Sequence, residues 1–71
     1  MAEPALGNRL KDARTAAGLT QAELAALIGV SRKTVNTIEN GVFIPSTVLA
    51  LRLARALETT VEALFFLPGS G

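Results

Sequence analysis

Apolar residues recur along the chain at spacings of three and four, interrupted at short intervals by Gly, Ser and Thr, which predicts a succession of short amphipathic helices. The first is expected from Leu6 or Asn8 to Ala17, with Leu6, Leu10, Ala13 and Ala17 along one stripe and Gly18 as its stop. Thr20 and Glu23 form a capping box that starts a second helix at Gln21, on which Ala22, Leu24, Ala25 and Ile28 share a broad face up to Gly29. Ser31 caps a third, from Arg32 to about Asn40, with Val35 and Ile38 pointing inward and Gly41 behind it. Pro45 and Ser46 introduce a fourth, from Thr47 to Leu57, whose Leu49, Ala50, Leu53, Ala54 and Leu57 cover the core side. Thr59 and Glu62 repeat the capping box and predict a short fifth helix, with Val61, Leu64 and Phe65 closing the core.

No strand-like alternation or internal repeat appears, so the predicted fold is all-α, a compact bundle of five helices. It should occupy residues 6–67, between a loose lead-in over 1–5 and a tail or linker start over 68–71. Some apolar residues exceed what the core needs. In the loop after the third helix, Phe43 or Ile44 is expected to pin the chain to the core. Val48 and Leu51 fall beside Arg52 and Arg55 on the wet side of the fourth helix, and Phe66 and Leu67 follow the fifth. These four are the expected interface of a homodimer; the alternative for Phe66 and Leu67 is that they fold back on their own core.

Composition narrows the chemistry. With 71 residues the chain makes one small domain, which buries only about 60% of its unfolded surface. The absence of Cys and His removes disulfides, thiol and imidazole catalysis and the usual zinc sites, and the carboxylates do not cluster. Neither a metal nor a cofactor is expected. The longest stretch without a charge, from Asn40 to Leu51, has 12 residues and contains a proline, too short to span a membrane. Without a signal-peptide pattern, the expected location is cytoplasmic.

Net charge is only +1, so any basic surface must come from uneven placement. Arg9, Lys11, Arg14, Arg32 and Lys33 lie in the first half, with Glu58 and Glu62 near the other end. Arg9, Lys11, Asp12 and Arg14 read equally well as a solvated helix face. The third helix is different, because its outward side carries Arg32, Lys33, Asn36, Thr37 and Asn40 in place of mixed Glu and Lys. Cations, amides and hydroxyls of this kind match base edges and phosphates. Gln21, at the positive end of the preceding helix, suits a phosphate.

The linked set Gln21-Ala22-Glu23-Leu24-Ala25, Gly29-Val30-Ser31, Thr34-Val35, Ile38-Glu39-Asn40-Gly41 and Pro45-Ser46, continuing through Leu53-Ala54 and Leu57 to Val61 and Leu64, resembles the helix-turn-helix of the Cro and phage-repressor (XRE) family. The resemblance implies a lambda-repressor-like bundle in which helices 2 and 3 form the motif and the second of them enters the major groove. It implies that Arg32, Lys33, Asn36 and Thr37 meet base edges. Thr20, Gln21, Arg14, Ser31, Thr34 and Asn40 become phosphate or positioning candidates. It also implies a structural pair between Arg14 and Glu39, which would orient the recognition helix and turn Arg14 toward a phosphate. Double-stranded DNA is the implied partner, read at a palindromic operator by a dimer acting as a repressor. The alternative is an antitoxin-like module that binds a partner protein through its apolar C-terminal face. No nucleophile and base can be assembled from the residues present, so an enzyme is not expected.

Overall fold

The computed structural model describes residues 6–69, and the expectations for 1–5 and 70–71 lie outside them. Five helices follow one another: α1 (Leu10–Ala16), α2 (Gln21–Ile28), α3 (Arg32–Glu39), α4 (Thr47–Ala56) and α5 (Val61–Leu64). Their starts follow from local chemistry. Thr20 and Glu23 complete the capping box, and Ser31, Ser46 and Thr60 each accept a hydrogen bond from the backbone N–H three residues on. Gly29 ends α2 in the left-handed conformation at φ 76°, which a side chain would strain.

Two short strands depart from the purely helical expectation. β1 (Gly7–Asn8) pairs antiparallel with β2 (Phe65–Phe66), Gly7 opposite Phe66 and Asn8 opposite Phe65. The first helix therefore starts at Leu10, not at Leu6 or Asn8, because the backbone of residues 7–8 bonds across to β2. Just beyond the ladder, the Arg9 N–H donates to the Leu64 carbonyl at 2.8 Å. A Cβ at Gly7 would overlap the Phe66 ring, so glycine lets that ring lie directly over the opposite strand, and a larger residue would force it to move.

Leu10, Leu24, Val35, Ile38, Leu53 and Leu64 fill the centre, with Ala25, Ile28, Ala50, Ala54 and Phe65 completing the buried core. Small residues at 25, 50 and 54 allow the helices to approach closely. Several expected positions are corrected. Ala17 and Ala22 are exposed, and on α1 the buried position beside Leu10 is taken by Arg14. Thr60, not Thr59, caps α5, and Glu62 takes no part in the cap. Phe43 and Ile44 are 46% and 64% exposed and do not pin their loop. The loop is closed instead by its backbone, Val42 and Phe43 both donating to the Thr37 carbonyl at 2.9 and 3.2 Å. No helix among the described residues is long and apolar enough to cross a membrane.

Candidate nucleic-acid interface

The outward side of α3 follows from its inward side. Val35 and Ile38 are fully buried against the other helices, which leaves Arg32, Asn36 and Asn40 as one ridge of i, i+4 neighbours with Lys33 and Thr37 beside it. Arg32, Lys33 and Asn40 are exposed, and Asn36 and Thr37 are half-buried. The Asn40 amide donates to the Asn36 carbonyl at 2.9 Å and to the Asn36 Oδ1 at 3.2 Å. This holds the Asn36 side chain in place while leaving its own Nδ2 donors and a second Oδ1 lone pair for a ligand. The Thr37 hydroxyl donates back to the Thr34 carbonyl at 2.9 Å, so it presents a methyl and acceptor lone pairs. Ser31 and Thr34 share a hydroxyl contact at 3.0 Å at the start of the helix, where Ser31 also accepts from the Thr34 N–H.

Behind this ridge runs a polar chain. Arg14 donates from Nε to Glu39 Oε2 at 2.6 Å, from Nη2 to Oε1 at 3.3 Å and from Nη1 to the Leu19 carbonyl at 2.8 Å. The two side chains are only 10% and 3% exposed. The hydrogen bond to Glu39 raises the Arg14 pKa further above its ordinary value, while burial opposes the shift. Gln21 joins the same carboxylate, its Nε2 donating to Glu39 Oε1 at 3.0 Å, and its Oε1 lies 3.5 Å from Arg32 Nη1. Arg32 is thus drawn toward the start of α2, and Gln21 spans the notch between the motif helices.

Most of the expected site residues share this surface. Arg14 lies behind it, buried and donating inward from three nitrogens, two of them to Glu39. Thr20 is exposed at the start of α2, its hydroxyl accepting from the Glu23 N–H. Asn8 also reaches this surface, which helical periodicity does not reveal. Its Nδ2 donates to the Ile38 carbonyl at 3.1 Å, near the end of α3, while its Oδ1 accepts from the Leu10 N–H at 3.1 Å. The only signal available was an Asn two residues before a helix.

The apolar candidates lie elsewhere. Val48, Leu51 and Leu67 are 60%, 56% and 67% exposed. Leu51 and Val61 line both of two shallow grooves on this side. Phe66 is half-buried, its ring 4.3 Å beneath the Arg9 guanidinium.

A family model described as helix-turn-helix matches residues 10–64, from the start of α1 to the end of α5. The chain belongs to the XRE-type helix-turn-helix family. Within it, the chain is 43% identical over 63 residues to an uncharacterized HTH-type transcriptional regulator of Methanothermobacter thermautotrophicus, covering 87% of this chain and 91% of that one. Among solved structures it resembles the restriction-modification controller protein C.AhdI from Aeromonas hydrophila, with a TM-score of 0.73 and 42% identity over 78% of this chain and 80% of that one. It also resembles part of FeII HppE in complex with substrate, with a TM-score of 0.75 and 35% identity over 87% of this chain but only 35% of that one. As a helix-turn-helix regulator, the protein is a DNA-binding module with α2 and α3 as its motif.

Proposed function

We propose that this helix-turn-helix protein is a sequence-specific repressor that occupies a palindromic operator in double-stranded DNA as a homodimer. The observation that carries the reading is the polar ridge of α3, held outward by a buried face on one side and by the Arg14, Glu39 and Gln21 chain on the other. Arg32 and Lys33 supply cations, and Asn36 supplies the paired donor and acceptor that suit adenine. Two such helices related by a two-fold axis would enter successive major grooves about 34 Å apart. Val48, Leu51, Leu67 and the exposed edge of Phe66 form the surface for the second copy. Nothing in this account requires chemistry on a substrate, so the protein acts by binding alone.

The test is binding to a labelled fragment from upstream of its own gene and to random DNA across a salt series, beside the Arg32→Ala, Lys33→Ala double variant. Tight binding to the upstream fragment, lost in the variant, is expected. Phosphate contacts release counterions, so affinity should fall steeply with salt. No binding to either fragment at low salt overturns the reading and favours a protein partner on the apolar face around Leu51.

A further inference from the structure

The C-terminal end of α3 is held by a residue that lies outside the motif. The last carbonyls of a helix have no partner within it. In α3 those of Asn36 and Thr37 are taken by groups that follow directly in the chain, the former by the Asn40 amides and the latter by the Val42 and Phe43 N–H groups. The Ile38 carbonyl accepts from the Gly41 N–H at 3.0 Å and, in addition, from the side chain of Asn8, 30 residues away.

Asn8 is placed to do this by two constraints. Its backbone belongs to β1, in register with Phe65, and its Oδ1 is fixed by the Leu10 N–H. One residue therefore joins the terminal ladder through its backbone to the start of α1 and the end of α3 through its side chain. Glu39, the neighbour of Ile38, is bonded to Arg14 and to Gln21, so two of the three distant side chains that tether this end of α3, Asn8 and Arg14, come from residues 8–14.

We infer that Asn8 is a positioning residue for DNA reading, which sets the C-terminal end of α3 relative to the terminal ladder through its bond to the Ile38 carbonyl. The inference rests on the DNA-binding reading above. Base contacts demand a helix placed to within about half an ångström, whereas phosphate contacts by flexible cations tolerate a small swing. Loosening this end should therefore weaken binding to the operator more than binding to random DNA.

Asn8→Ser is the informative variant. A serine hydroxyl can still accept from the Leu10 N–H, but it is too short to reach the Ile38 carbonyl. The wild type is first used to select an operator from random duplexes, and both proteins are then titrated with that operator and with a scrambled duplex, at a temperature where circular dichroism shows both fully folded. The expected result is a roughly tenfold smaller ratio of operator to scrambled affinity, with the scrambled affinity unchanged within about twofold. Amide exchange at Gly41, which shares the Ile38 carbonyl, should quicken in parallel. A ratio unchanged within twofold, or equal losses on both duplexes, overturns the positioning role while leaving DNA binding intact. Failure of the wild type to select any operator overturns the DNA reading, and this inference with it.

Discussion

The Arg14 guanidinium and the Glu39 carboxylate lie 2.6 Å apart with side chains almost wholly shielded from water, so α1 and the recognition helix are joined by a desolvated ion pair. Removing one partner strands the other charge, which costs about 3–5 kcal/mol. A domain of this size has only about 4–10 kcal/mol in all. Arg14→Met should thus unfold much more readily in urea. The double variant Arg14→Met, Glu39→Leu should recover most of the loss, since a buried pair is often no better than a packed apolar one. A single variant that costs less than about 1 kcal/mol would show the pair to be dispensable. Because the Arg14 pKa is raised in the fold, its contribution is complete below the unfolded pKa and is lost only as pH climbs through the still higher folded value. Urea midpoints from about pH 7 to about pH 10 should therefore carry no slope from Arg14.

Asn36 and Lys33 should fail differently. Asn36→Ala is expected to cost about 1–3 kcal/mol at one base pair of the half-site and leave the salt slope as it was. Lys33→Ala should relax discrimination at its own base pair and, because a cation is removed, also lower the slope of log affinity against log salt by about one for each bound protomer. Fluorescence titration against single-base variants of the operator separates the two patterns.

Leu51→Glu places a carboxylate on the exposed apolar side of α4 while leaving the core untouched, because Leu51 is 56% exposed. The wild type should sediment as a dimer and the variant as a folded monomer with much weaker operator binding. A dimer that persists in the variant would move the interface away from α4.

Glu58 adopts φ 55°, the one described non-glycine residue in the left-handed region. That conformation costs an L-residue about 1–2 kcal/mol, partly offset in glycine by the entropy it loses on folding. Glu58→Gly should stabilise the protein by about 1 kcal/mol and raise Tm by about 4–8 °C. A lower Tm on calorimetry would mean that the Glu58 side chain contributes more than its backbone costs.

The helices were legible in the sequence where their signals are local. Thr20 with Glu23, Ser31 and Ser46 each act within one turn, and their caps stand where the residues place them. Two adjacent threonines offer the same chemistry; the Thr60 hydroxyl is the one that caps, while the Thr59 N–H is spent on the Ala54 carbonyl behind α4. The ladder was not legible, because two residues at each end carry no alternation and their pairing spans nearly the whole chain. For the candidate interface, helical periodicity sufficed to place Arg32, Lys33 and Asn36 on the outward side. It could not reveal that Asn8 reaches Ile38, and the Arg14–Glu39 pair was legible only through the resemblance, since both bonds depend on how distant segments meet. Phe43 and Ile44 stay exposed for a related reason: apolar residues do not have to pin a loop whose backbone is already bonded to Thr37.

The pairing of Gly7 with Phe66 also bears on the order in which the molecule assembles. Helical turns form within the reach of a few residues, but this ladder must close a loop of almost the entire chain before it returns any energy. It should be the last element to zip up and the first to open, a low-stability unit beside a more durable helical centre. In a hydrogen-exchange time course the Arg9 amide, bonded to Leu64, should trade its proton well before the amides of Leu24, Ala25 and Ile28, the buried residues of α2.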